Sequence, residues 1–219
     1  MQGRSDMIPR AFHPRPMKLM MVVGLTALLA GCGSSSFRVD YPSVPAETTA
    51  GWRVADVRVA VPETLVVSEA NVFIPKADIV WHGDPEGDRK AQVADIIRQG
   101  VLAGARGLSG GQKVTMDVTL ERFHALTPRA FYRSPAWGGV NSIVFNVTVR
   151  DASGAVLIGP ERIEADMPAI VAADNPPAEV FSVPGGQSRA TLIAHVAAVT
   201  RAWLNLGPDQ RVQIRRVGG

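Results

Sequence analysis

The sequence contains one cysteine, Cys32, among 219 residues. A single thiol excludes a disulfide framework, so stability has to come from an ordinary core. Aromatic residues are scarce, at 6%. Net charge is also small: 23 Lys and Arg against 20 Asp and Glu. Arg4, Arg10, Arg15, Lys18 and Asp6 all precede Cys32, which leaves 19 basic and 19 acidic residues from Cys32 onward. That even balance excludes the basic face a nucleic-acid partner requires and the polybasic patch that binds anionic lipid headgroups. No long apolar run is present. The longest, Leu19 to Ala30, falls well short of the roughly 20 residues that cross a bilayer as a helix.

That run has the parts of an export signal. Arg10, Arg15 and Lys18 form a positive n-region, Leu19 to Ala30 an apolar h-region, and small residues follow. Met17-Lys18-Leu19 offers an alternative start. The run ends in Leu29-Ala30-Gly31-Cys32, which resembles the lipobox of bacterial lipoproteins. The resemblance implies that residues 1–31 are removed as a signal peptide. Cys32 then becomes the N-terminus and carries acyl lipid, palmitate among it, on its sulfur and amine. One acyl chain anchors poorly, and the triacylated cysteine of this family meets the need for more. Gly33 follows where an Asp would resemble the inner-membrane retention signal of proteobacterial lipoproteins. The expected location is therefore the outer membrane, facing the periplasm.

Residues 32–51 read as the lipidated cysteine and a tether: Gly33-Ser34-Ser35-Ser36 is flexible, and Pro42 and Pro45 favour extended chain. Residues 52–207 are long enough for one domain, with 208–219 as a tail. Alternation predicts strands over 52–61, 78–82, 113–121, 142–150 and 156–167. The clearest is Lys113 to Glu121, with Val114, Met116, Val118 and Leu120 on one face and Lys113, Asp117 and Glu121 on the other. Such a pattern belongs to an antiparallel sheet with one solvated face. Asp151-Ala152-Ser153-Gly154 is a turn, and Pro160 marks an edge or a bulge. Asp84-Pro85-Glu86 reads as a helix start. That helix runs to about Arg106 and buries Val93, Ile96, Ile97, Gly100, Val101 and Gly104. A second helix spans Ser188 to Asn205. The segment 63–77 is ambiguous, with Leu65-Val66-Val67 readable as a short strand or a helical turn, and 123–140 and 168–186 read as loops.

These elements define an α+β fold: a two-layer sandwich of a mostly antiparallel sheet, about four to five strands, with two helices on one face. Anchor, Pro-rich tether and element order together resemble small proteobacterial envelope lipoproteins of unknown function. More distantly they resemble the auxiliary lipoproteins of ABC-type lipid transport and the lipopolysaccharide-assembly lipoprotein of the outer membrane.

Several strings carry apparent chemistry. Leu108-Ser109-Gly110-Gly111-Gln112 spells the signature motif of ABC-transporter ATPases. The phosphate-cradling Gly-x-x-x-x-Gly-Lys-Ser/Thr loop it works with is absent, and the string leads into a strand, so no nucleotide is expected. His82-Gly83-Asp84-Pro85-Glu86-Gly87-Asp88 departs from a calcium loop and is explained by helix capping. His82, His124 and His195 occur in unrelated contexts, and no Gly-x-Ser-x-Gly elbow exists. No catalytic residue, metal ligand or cofactor is expected. The segment 123–139 combines Phe123, Phe131, Tyr132 and Trp137 with Arg129 and Arg133, the residue types enriched at interface hot spots.

The expectation is a non-catalytic, lipid-anchored envelope protein that binds another envelope component, protein or lipid, as an accessory or assembly factor. The membrane is its partner through Cys32, and nucleic acid is not. A lipid or glycolipid carrier is one alternative, favoured by an apolar cavity. An envelope hydrolase is another, which would need a convergent cluster of His, acid and nucleophile.

Overall fold

Thirteen residues, Gln112 to His124, make the longest strand among the described residues. In chain order the computed structural model contains β1 (Phe37–Asp40), α1 (Ala46–Thr49), β2 (Trp52–Ala60), β3 (Ile79–Val80), α2 (Arg89–Gly104) and β4 (Gln112–His124). It continues with α3 (Pro128–Arg133), β5 (Val140–Asp151), β6 (Val156–Ala165), β7 (Met167–Pro168), β8 (Ile170–Ala172), β9 (Val180–Ser182), α4 (Arg189–Trp203) and β10 (Val212–Ile214). The structure describes residues 37–133, 139–172, 180–182 and 188–214. The signal peptide, Cys32 and Trp137 lie outside them.

Eight strands form one open sheet in the order β10-β1-β6-β5-β4-β2, with β3 also on β4 and β7 on β5. The expected four to five strands is an underestimate. β4 is parallel to β2 and β3; the other pairings in the sheet are antiparallel. The missed strands β1 and β7 are short and lie in or beside segments read as tether and loop, while β10 takes the strand that the tail from Arg211 offered as an alternative to fraying. β1 starts at Phe37, inside the expected tether, and buries Val39. Tyr41 and Val44 are buried just after it. Phe37, Val39 and Tyr41 alternate with Arg38 and Asp40, but four residues beside Ser and Pro are too few to read as a strand. β10 pairs with β1, Phe37 opposite Ile214.

Val114, Met116, Val118 and Leu120 of β4 and Ile143, Phe145, Val147 and Val149 of β5 face the core, as their alternation predicts. Past Leu120 the register shifts at Glu121. This bulge resets the alternation, so Phe123 also faces inward and the strand runs on to His124. A second irregularity falls between Val147 and Val149, opposite Gly159. Gly159 has φ +97°, precedes a cis peptide bond to Pro160, and a Cβ there would lie 2.3 Å from the Val147 carbonyl oxygen. Pro160 is thus at a bulge. The strand is interior only at its far end, where β1 pairs with Glu164 and Ala165.

α2 and α4 pack on each other and on the sheet. The predicted α2 stripe is buried throughout. Gly100 and Gly104 set the crossing: a Cβ on either would come within 2.6 Å of Val196 or Thr200. The start of α2 differs from expectation. Asp88, not Asp84, is the N-cap, accepting a hydrogen bond from the Ala91 amide. Asp84 is committed elsewhere, accepting from Trp81 Nε1 at 2.8 Å and from Arg189. α4 starts where expected, with Ser188 accepting from the Thr191 amide.

His195 on α4 is half-buried, its Nε2 3.2 Å from the Asp166 carbonyl oxygen. Burial lowers its pKa, and burial likewise lowers that of His82 against a smaller opposing pull from Glu69. Both histidines therefore take up protons more readily unfolded than folded. Their contribution to stability is complete above the ordinary histidine pKa of about 6.5 and is lost as pH falls below it. The thermal midpoint should fall between pH 7 and pH 5, and His195→Gln should flatten part of that fall. An equal slope in wild type and variant would exclude His195 as the titrating group.

Candidate functional site: an apolar surface at one end of the sheet

The strand registers gather several chain segments at one end of the sheet. His124 at the end of β4 lies opposite Ser142 near the start of β5. Val144 of β5 lies opposite Glu164 near the end of β6, and Ala165, the last residue of β6, lies opposite Val39, so the antiparallel β1 begins at this end. β3 runs alongside the end of β4. Two segments cap this end, the 66–78 loop and the turn leading into α3.

The loop closes on itself. Val67 bridges Ile79, the Ser68 amide donates to the Ile79 carbonyl at 3.0 Å, and the Val66 amide donates to the Asp78 carboxylate at 2.9 Å. Chain ends brought together in this way characterise the compact Ω-type loop. The α3 segment then docks on it. Thr127 Oγ1 accepts from the Ala130 amide and donates to the Val72 carbonyl at 2.7 Å. The Arg129 amide donates to Asn71 Oδ1 at 2.7 Å, and the Arg129 guanidinium sits 5.0 Å over the Phe73 ring. His124 Nε2 lies 3.2 Å from the Pro75 carbonyl oxygen.

The product is a surface of side chains that burial would normally claim. Ile74 is 82% exposed and Tyr132 79%, with Val72 and Phe73 also exposed. Phe131 packs edge-on against Tyr132, centroids 5.0 Å apart, and is half-buried. A shallow groove of about 200 Å³ runs beside them between His82 and Phe131. Exposed apolar clusters rimmed by polar groups mark contact surfaces.

Of the residues singled out in the sequence, Arg129, Phe131, Tyr132 and Arg133 come together here, on a helical turn rather than the expected loop. Phe123 does not: it is 0% exposed and meets Trp81 edge-on at 5.8 Å. Trp137 is outside the described residues. Sequence reasoning missed Val72, Phe73 and Ile74. The unbroken apolar triplet before Pro75, in a segment with no periodicity, was the available signal.

Arg89 holds the loop in place from below. It is buried, and its guanidinium clasps Glu69 through Nε at 2.7 Å and a second nitrogen at 3.2 Å. It also donates to the Asp84 and Pro85 carbonyls and to Gln92. The hydrogen bonds from Arg89 hold the Glu69 carboxyl below its usual range, over a smaller opposing effect of burial.

The open face of the sheet is different in kind. Asp117 accepts from Arg150 at 2.9 Å, and Glu121 from Asn146 at 2.6 Å and Arg162 at 2.9 Å. Arg162 and Arg38 both pair with Glu164. Burial pushes the Glu164 carboxyl up, but the two guanidiniums outweigh it and hold it below the usual range. This ladder satisfies its own charges. An open groove of about 350 Å³ beside it is lined by Arg38, Asp40, Tyr41, Pro42, Arg162 and Glu164.

The histidines are spoken for separately: His82 faces Glu69 at 4.0 Å, His124 the Pro75 carbonyl, and His195 that of Asp166. Among the described residues no group of three His, Cys, Asp or Glu is placed to hold a metal ion. Among them, too, no helix is long and apolar enough to cross a membrane.

Among the described residues, fold and surface define a mixed α/β domain with an open eight-stranded sheet, four α-helices and exposed apolar side chains at one end. The chain belongs to the family of unknown function DUF6778, whose model matches residues 52–219. No curated protein matches it. Among solved structures it is similar to a candidate lipoprotein from Caulobacter crescentus CB15, at 12% identity over 73% of this chain and 90% of that one, TM-score 0.34. It is also similar to the PelC dodecamer from Paraburkholderia phytofirmans, at 13% identity over 75% and 97%, TM-score 0.31.

Proposed function

We propose that this protein is a non-catalytic lipoprotein of the bacterial envelope, anchored by lipid on Cys32 and located at the periplasmic face of the outer membrane. In this reading it serves as an accessory or assembly factor, and it meets another envelope component through the surface around Phe73, Ile74, Arg129 and Tyr132. The anchor rests on the Leu29-Ala30-Gly31-Cys32 string and the short apolar run before it. The contact surface rests on one observation: two separate segments are hydrogen-bonded together so as to hold Ile74 and Tyr132 in water. Exposing such side chains costs roughly 1.5–3 kcal/mol each relative to burying them, a cost that a contact recovers. The space between sheet and helices is filled by one continuous apolar cluster, which supports a surface binder over a lipid carrier.

Photo-crosslinking in living cells tests this reading. The probe belongs at Tyr132 or Ile74, since Phe131 is half-buried against its neighbours. A discrete adduct, protein or lipid, is expected at both positions and absent from a probe at Ser153, at the other end of the sheet. No adduct at either position would remove the contact surface. In parallel, labelling with a palmitate analogue should mark the wild type and lose all signal in Cys32→Ser; retained signal would remove the anchor.

A further inference from the structure

We infer that the apolar end of the sheet rests on the lipid surface of the membrane that holds the anchor. The inference builds on the lipid-anchor reading and names the component that the contact surface meets.

The argument starts from chain length. Only four residues, Gly33 to Ser36, separate Cys32 from Phe37, the first residue of β1. Residues 37–51, expected as part of the tether, hold β1 and α1 instead. At about 3.5 Å per residue, Phe37 lies at most about 18 Å from the lipidated cysteine in any conformation. The end of the sheet at which β1 begins is therefore the end kept nearest the anchor.

That end is the one carrying the exposed apolar residues. β1 starts beside the end of β6, which pairs with the start of β5, which pairs with the end of β4, beside β3. Neighbouring strands are about 4.8 Å apart, so the entry of β1 and the 66–78 loop on β3 are about 20 Å apart across one edge of the domain. The turn at Ser153 and Gly154 lies at the opposite end.

The chemistry of the surface fits a lipid headgroup boundary. Ile74, Phe73 and Val72 supply exposed apolar side chains. Tyr132 is amphipathic and suited to the boundary between water and hydrocarbon. The Arg129 guanidinium stacks over the Phe73 ring at 5.0 Å, which places a cation beside the apolar side chains, at the level where lipid headgroups carry their phosphates. Interfacial contacts of this kind add to an acyl anchor and fix how the attached domain is oriented. The self-satisfied ladder on the open sheet face then stands roughly along the membrane normal.

The test uses the full-length lipidated protein in vesicles of phosphatidylethanolamine and phosphatidylglycerol. If Cys32 carries lipid, its sulfur is a thioether and wild type titrates no free thiol. Ile74→Cys, Tyr132→Cys and Ser153→Cys then each offer one thiol for an environment-sensitive fluorophore. Labels at 74 and 132 should shift to the blue and be quenched severalfold more strongly than the label at 153 by nitroxide-bearing lipids. Equal quenching at all three positions, with the wild-type thiol blocked, overturns the inference and leaves the anchor standing. Shielding of 74 and 132 from aqueous iodide without lipid quenching overturns it in favour of a contact between proteins. A free thiol in wild type overturns the anchor reading and this inference with it.

Discussion

Gly110→Ala is expected to destabilise the domain by about 3 kcal/mol, while Gly111→Ala changes stability by no more than about 0.5 kcal/mol. For a domain of this size the first corresponds to a fall in thermal midpoint of about 9 °C. The two residues are adjacent in Leu108-Ser109-Gly110-Gly111-Gln112 but do different work. The chain leaving α2 must pass directly over the start of β2 before β4 can pair with it. At the crossing the Gly110 amide donates to the Trp52 carbonyl at 2.7 Å, and the Gln112 amide to the Gly51 carbonyl at 2.9 Å. A Cβ on Gly110 would lie 2.2 Å from the carbonyl carbon and oxygen of Gly51 and 2.6 Å from the Ala50 oxygen. Those are backbone atoms, which cannot rotate away as a side chain would. A Cβ on Gly111 meets nothing within 4 Å. Urea denaturation of the two variants separates a crossing from a ligand motif: comparable losses at both positions would mean that the string has a role this crossing does not explain.

Arg89→Met should cost about 3 kcal/mol, within the range for removing one member of a buried pair, and Arg89→Lys should recover only part of it. Methionine preserves the apolar stem, so the loss isolates the guanidinium. Lysine keeps the charge but not the planar fork that grips both Glu69 oxygens and the Asp84 and Pro85 carbonyls at once. Glu69 itself is 56% exposed in its side chain, so water takes over part of its solvation and keeps the cost towards the low end. The effect should also be local. Amide exchange in residues 66–74 should rise more than in β4 or β5, because Arg89 ties the loop to the start of α2. Uniform acceleration across the domain would mean that Arg89 supports the core rather than the surface. If the loop loosens, contact through Tyr132 should weaken with it, although Arg89 itself touches nothing outside the protein.

The parts of the fold that sequence reasoning recovered are those with long, regular periodicity. β4, β5 and α2 have apolar stripes whose expected members are buried, because a face in contact with the core repeats at the period of its element. What it missed depends on partners distant in the chain. The four residues of β1 show alternation but count as a strand only because β6 and β10 lie on either side. Phe123 was assigned to the surface because a bulge at Glu121 resets the alternation, and nothing in the local sequence announces the bulge. Asp84 has every local feature of a helix cap, yet Trp81 and Arg189 compete for its carboxylate and Asp88 takes the position. The candidate surface was half legible. Arg129, Phe131, Tyr132 and Arg133 stood out by residue type, whereas Phe73 and Ile74 became relevant only once hydrogen bonds from Thr127 and Arg129 joined their loop to α3.

The pairing of β1 with β10 carries a consequence for the order of folding. The first strand of the domain is completed by the last, and the segment after it is fastened to the C-terminal region by Tyr41 on Asp209, the Val44 amide on Trp203 and Thr49 on Leu204. Contacts between chain ends form late, since closing so long a loop costs entropy before any contact rewards it. β1 therefore stays unpaired on its outer edge until the last described strand reaches it. Only the arrival of Val212 to Ile214 seals that edge, so the domain takes up its finished shape as a closing of its two ends on each other rather than as growth from one of them.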